Sequence, residues 1–128
     1  MKRHDIEFLW AWFDALHRGD TETMAAALHP DIVWQGIREG LVCNGPEEVV
    51  AGFVSGYDAN QKIDSLELLG GERRVVLGVR APDLGEVDGV EIGPEIYNVF
   101  TIEDERITRI EDYLRREEAL AAAGLAQM

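Results

Sequence analysis

Cysteine is almost missing from this chain: a single thiol, Cys43, in 128 residues. A lone cysteine cannot close an intrachain disulfide, and it leaves no Cys pair for a structural zinc site. His4, His17 and His29 have no His-x-x-x-His or similar ligand spacing, so a dedicated metal centre has no support. Basic residues are scarce as well. Twelve Lys and Arg stand against 25 Asp and Glu, giving a formal net charge of −13. Such a chain repels phosphate backbones, and with no Lys/Arg run to offset this, it is expected to bind no nucleic acid. No stretch approaches the roughly 20 apolar residues that span a bilayer, so no membrane segment is expected. The opening Met1-Lys2-Arg3-His4-Asp5 has neither the apolar core nor the small-residue cleavage site of a secretory leader. These features together predict a cytoplasmic protein. There is no Gly-x-Gly-x-x-Gly and no P-loop, and the acidic segment 83–95 fails as a calcium loop because Pro94 stands where a closing Glu is needed. No cofactor is expected.

What is present is an ordinary globular composition, 46% hydrophobic and 29% charged, over a length that suits one domain, residues 1–128. Residues 5–18 follow a 3.6-residue period through Ile6, Leu9, Trp10, Phe13 and Leu16, which predicts a helix ended by Gly19. Phe8, Trp12 and Ala15 form a second apolar strip, so that helix is covered on more than one side. Asp20 is placed to cap a second helix with Met24, Ala25 and Leu28 buried, stopped by His29-Pro30-Asp31. Ile32, Val33 and Trp34 read as a short strand. Pro46, Glu47 and Glu48 open a third helix whose apolar face is Val49, Val50, Phe53, Val54 and Tyr57. Strands then dominate: 62–69 and 73–80 as a hairpin, 82–95 as a loop or hairpin tip, and 96–102 with 106–114 as a second hairpin. Residues 115–123 form a helix that Gly124 ends. Helices segregated from an antiparallel sheet make an α+β fold, and three helices against a strongly curved sheet would enclose a cone with room for a ligand.

The stretches Ala15-Leu16-His17-Arg18-Gly19-Asp20, Met24 through Leu28 and His29-Pro30-Asp31-Ile32-Val33-Trp34 resemble the opening of SnoaL-like members of the nuclear-transport-factor-2-like superfamily. The segment 96–100 and the closing Arg106-Ile107-Thr108-Arg109-Ile110-Glu111-Asp112-Tyr113-Leu114 resemble the last two strands of that fold. The resemblance spans nearly the whole chain. It implies three N-terminal helices on a curved, mostly antiparallel sheet that forms a conical barrel with an internal pocket. It also implies dimerisation through the outer sheet face. Function follows less directly, because this superfold hosts isomerases, cyclases, hydrolases, dehydratases and plain binding modules.

Steroid isomerases of the superfamily use a first-strand carboxylate base and an oxyanion hole made from a helix-1 Tyr and a sheet Asp. Aligned on Gly19-Asp20, those places fall at Gly36, Trp12 and near Tyr97, so that chemistry is ruled out here. SnoaL-like polyketide cyclases instead carry an acid/base Asp on the final strand, and Asp112 stands at the matching position. It shares strand parity with Ile110 and Leu114, and a carboxylate among apolar neighbours is costly to bury unless paired or protonated. Raised toward neutrality, it becomes a general acid or base. The competing reading is a structural carboxylate, paired with Arg80 or capping a loop. Arg80 and Tyr97 are the candidates to orient or stabilise developing negative charge. Trp12, Trp34, Phe53 and Tyr57 are candidate walls for a small apolar or polycyclic molecule, with core packing the plainer role for Trp12 and Phe53. Cys43 precedes a helix start, where a thiolate is stabilised, but no histidine is implicated as its base. The expectation is thus a cofactor-independent pocket protein, catalytic through Asp112, or a non-catalytic binding module of the same fold.

Overall fold

In a computed structural model, the described residues are 2–36, 40, 42–56, 65–70, 73–80, 86–87, 90–91 and 95–124. Helix α1 (Lys2–Arg18) buries Leu9 and Leu16 of its first strip and Trp12 and Ala15 of its second, while Trp10, which the first strip would bury, is 51% exposed. Gly19 ends it at a φ of 71°, a left-handed conformation that glycine enters without a Cβ penalty. There the amide of Gly19 donates to the Leu16 carbonyl at 3.1 Å and that of Asp20 to the Ala15 carbonyl at 2.9 Å, closing the helix in a Schellman motif. The Asp20 carboxylate then accepts from the Thr23 amide at 3.2 Å and caps α2 (Thr21–Ala26). The Trp12 indole N–H donates to the Met24 carbonyl at 3.0 Å, fastening α1 to α2.

Strand β1 (Leu28–Gln35) starts earlier than the sequence pattern implies, with His29-Pro30-Asp31 inside it. The reason is an irregularity between Leu28 and Val33 in its pairing with the last strand. Pro30 has no N–H to give a ladder, and a bulge is where a strand tolerates that loss. The Asp31 amide is satisfied locally by His29 Nδ1 at 2.9 Å. A short β2 (Val42–Asn44) leads into α3 (Gly45–Gly56). Strands β3 (Ser65–Gly70) and β4 (Arg74–Arg80) form the first hairpin, and β5 (Glu86–Val87) with β6 (Val90–Glu91) make a separate two-stranded piece. Strands β7 (Glu95–Glu103) and β8 (Arg106–Tyr113) turn through Asp104 and Glu105, both at positive φ. That pattern is the type I′ geometry that matches strand twist. Helix α4 (Arg116–Ala122) closes the described elements.

The main sheet runs β2-β1-β8-β7-β4-β3. The sheet is mostly antiparallel, as expected, with one parallel pair, β1 with β8. Among the described residues its outer strands β2 and β3 are not paired with each other. Helices α1, α2 and α3 cover one face. Leu9, Trp12, Met24, Ile32, Val49, Val75, Phe100, Ile107 and Ile110 are buried there in one cluster. The opposite face carries a smaller cluster of Val76, Tyr97 and Val99 against Ala119 and Ala123, held by α4. Period-2 alternation along β4 and β7 feeds both clusters from the same strands.

Trp12 is 2% exposed, in edge contact with Phe13, Phe53 and Phe100, and its N–H is taken by Met24. Its assignment as a pocket wall is therefore corrected to core. Trp12→Phe, which keeps an aromatic ring but leaves the Met24 carbonyl without this donor, should lower unfolding free energy by about 2 kcal/mol in urea titration. A stability unchanged from the parent would show that the bond and the packing count for little.

Candidate functional site

The site is built from strand parity. Asp112 on β8 is in register with Asn98 on β7, and Asn98 with Leu77 on β4, so the three form a row across the sheet on the helix-covered face. The adjacent row runs Val75, Phe100, Ile110, Trp34 and Cys43. A buried carboxyl is thereby set among apolar side chains, with Ile110 and Phe100 fully buried beside it.

Two donors reach it. Trp34 Nε1–H donates to Asp112 Oδ1 at 2.8 Å, and Asn98 Nδ2–H donates to the same oxygen at 2.6 Å. Oδ2 receives no hydrogen bond from the described residues. Burial raises the carboxyl pKa to about 6 from 3.8, and the bonds from Trp34 and Asn98 each pull it back down. Burial therefore wins, but only in part. At neutral pH the group is mostly ionised and protonates readily, the balance a general acid or base requires.

The indole that holds Asp112 is itself held. Trp34 stacks on Phe53 with ring centroids 4.3 Å apart and planes 19° from parallel. Its other support is Gly52: a Cβ there would lie 2.6 Å from Trp34 Cζ3. Helix α3 therefore presses on the ring through a residue that has no side chain to intrude. Phe53 reaches on to Trp12, Phe13 and Phe100, so the stack continues into the core.

Asp112, Trp34 and Phe53 thus come together. Tyr97 does not join them. It is 4% exposed, in register with Tyr113 and Gly78, and packed among Val76, Val99 and Ala119 under α4, on the other face from Asp112. Its role as a catalytic partner beside Asp112 is corrected accordingly, since neighbouring residues of a strand point to opposite faces. Arg80 pairs through its backbone with Glu95 and Ser65 and has the parity of Val76, not of Leu77; its side chain lies outside the described residues. Tyr57 lies outside them altogether. Cys43 is in register with Trp34, but burial and then the negative charges of Glu48 and Asp112 push its thiol pKa up, against thiolate formation. Among the described residues no group of three or more His, Cys, Asp or Glu is placed to hold a metal ion.

Asn98 is the residue that sequence reasoning missed. Its signal was parity: in Glu95-Ile96-Tyr97-Asn98-Val99-Phe100 it is the polar residue two positions from Phe100, on the buried face. A buried amide needs a partner, and Asp112 is the one across the ladder.

A mixed sheet with α1, α2 and α3 on one face, α4 on the other and a buried carboxyl on its last strand defines an α+β protein of nuclear-transport-factor-2-like type. The SnoaL-like domain family matches residues 10–110, and the chain belongs to that family. No curated protein matches the sequence significantly. Among solved structures, an NTF2-like protein of Burkholderia xenovorans LB400 is 18% identical with a TM-score of 0.63, covering 96% of this chain and 97% of its own. A candidate polyketide cyclase of Sinorhizobium meliloti is 23% identical (TM-score 0.60, 84% and 94% covered). Another, from Xanthomonas campestris, is 18% identical (TM-score 0.60, 94% and 96% covered). At these identities the similarity shows the fold. No helix is long and apolar enough to cross a membrane among the described residues.

Two outcomes test this geometry. Because the folded-state pKa of Asp112 lies above its unfolded value, the native state binds the extra proton and stability falls as pH rises from 3.8 to about 6. Below that window the penalty is absent, and above it the full penalty, on the order of 3 kcal/mol, applies. Asp112→Asn should flatten this part of the stability–pH curve and be at least as stable as the parent above it, by thermal melts across pH. A variant that melts lower at every pH would mean that the carboxylate stabilises the fold. Separately, Gly52→Ala should force the indole off Asp112 and raise the carboxyl's midpoint by about one unit, read by carboxyl-carbon NMR titration; an unmoved midpoint would contradict the contact.

Proposed function

We propose that this domain binds a small, largely apolar or polycyclic molecule against the Trp34–Phe53 stack, with Asp112 meeting its polar group and acting as general acid or base. The observation that carries this reading is the Asp112 carboxyl itself: buried in an apolar face, held through Oδ1 by Trp34 and Asn98, and titrating at about 6. Structural carboxylates are ordinarily paired with a cation. Among the described side chains, to which that of Arg80 does not belong, no cation lies within ion-pair distance of this one. Such a group can take a proton from a carbon next to a carbonyl and return it elsewhere, or donate one to an epoxide oxygen. Neither reaction calls on a cofactor. The polyketide cyclase names carried by relatives fit the same class of substrate.

A second reading, a non-catalytic binding module, has an observation of its own. Tyr97 is on the far face, so no described hydroxyl or cation stands beside Asp112 to stabilise developing charge. Under either reading we take residues 1–128 as one domain, a homodimer as the family resemblance implies, and cytoplasmic as the single thiol suggests.

The deciding experiment screens polycyclic ketones and epoxides for turnover and, in parallel, for quenching of tryptophan fluorescence. With a substrate in hand, Asp112→Asn should lower kcat at least 100-fold, roughly the low end of general acid–base contributions, while binding persists. Binding without turnover in the parent, unaffected by Asp112→Asn, would favour the module. No binding of any apolar compound would sink both.

A further inference from the structure

Oδ1 of a carboxyl group has two in-plane lone pairs, and here both are occupied. One takes the Trp34 N–H at 2.8 Å and the other the Asn98 N–H at 2.6 Å. The two donors come from different strands: Trp34 from β1, Asn98 directly across the β7–β8 ladder. They are not equivalent. An indole nitrogen only donates, so Trp34 holds its lone pair in every protonation state. An amide can present either its N–H₂ or its carbonyl, so Asn98 is where the choice is made. With Nδ2 turned to Oδ1, a proton placed on Oδ1 would point at a donor already there.

We infer that Asn98 is a positioning residue that, with Trp34, reserves Oδ1 as a double acceptor and assigns proton exchange with the substrate to Oδ2. The inference rests on the acid/base reading of Asp112. It fixes the side from which the reacting atom approaches: the Oδ2 edge, away from Trp34 Nε1 and Asn98 Nδ2. In the base direction a substrate C–H or O–H bond breaks, its electron pair stays on the substrate, and the proton forms a bond to Oδ2. In the acid direction the Oδ2–H bond breaks toward a substrate lone pair. Few other groups compete on this face. Besides Asp112 and Asn98, its described rows on β4, β7, β8 and β1 are Val75, Leu77, Phe100, Ile107, Ile110, Ile32 and Trp34, all apolar apart from the indole N–H. Among the described residues a titratable neighbour is Cys43 on β2, whose thiol is pushed up by burial, Glu48 and Asp112.

The test needs no substrate. In ¹⁵N–¹H spectra of the parent protein, the Trp34 indole and Asn98 side-chain amide signals should shift with one common midpoint as Asp112 titrates. Both should stay protected from solvent exchange on the acid side. Asn98→Ala should raise the Asp112 midpoint by about one unit, since a donor favouring the ionised form is lost. Trp34→Phe, which keeps a ring on Gly52 and Phe53, should do the same. The proposal is overturned if the Asn98 amide loses protection or flips as the acid forms, since the proton would then sit on Oδ1. It is overturned equally if neither signal follows the titration. Failure of the acid/base reading looks different: turnover surviving Asp112→Asn, whatever these spectra show.

Discussion

The arrangement depends on one side chain, the Trp34 indole, because three elements meet on it. Its backbone lies on β1, its ring is pinned by Gly52 and Phe53 of α3, and its N–H ends on Asp112 of β8. The parallel pairing of β1 with β8 makes this possible by setting Trp34 beside Ile110, two residues from a carboxyl 78 positions away in sequence. A hydrogen bond to a charged group is worth about 1.5–3 kcal/mol, enough to orient both partners but not enough to offset full burial of a carboxylate. Packing must supply the rest, and the Phe53 stack leading to Trp12 and Phe100 is that packing.

Strand parity distributes the remaining work. On β7, Asn98 and Phe100 turn to the helix-covered face, while Tyr97 and Val99 turn to α4. On β4, Val75 and Leu77 go one way and Val76 the other. The sheet has a buried cluster on each face, so its strands carry near-continuous apolar runs, and a one-residue slip would exchange the two clusters entirely. Asn98 is the residue that penalises such a slip most. Moved to the α4 side, its amide would lose Asp112 and be buried without a partner, a loss of about 1–3 kcal/mol beyond the misplaced packing.

That double-sided burial explains what the sequence could and could not tell. Elements with local signals were legible: the 3.6 period of α1, Gly19 as its end, Asp20 as a cap, the β7–β8 hairpin and the α4 helix. Asp112 was named as a candidate from strand parity and family resemblance, Trp34 from family resemblance, and Phe53 from helical period, and the structure places the three side by side. Tyr97 was placed inward by family resemblance, and in a strand buried on both faces its aromatic ring gave no local sign of the other side. Asn98 was overlooked for the complementary reason. A single polar residue in an apolar run is read as a flaw until the register supplies its partner, and register is a non-local property. Pro30 inside β1 was hidden similarly, since only the bulge in the pairing with β8 shows how a strand can hold it.

The same balance sets what Asp112 can do. A carboxyl buried in this apolar row with no donors would stay neutral at physiological pH, an acid with little tendency to act as a base. A carboxyl with further donors would be pulled lower still and would hold less of its proton at neutral pH. Two donors on one oxygen give an intermediate state: burial raises the group, Trp34 and Asn98 restrain it, and it comes to rest at about 6. The donors also use up only one edge of the carboxyl. The tuning and the lack of a described donor at Oδ2 therefore have one cause, the convergence of two N–H groups from β1 and β7 on a single atom of β8.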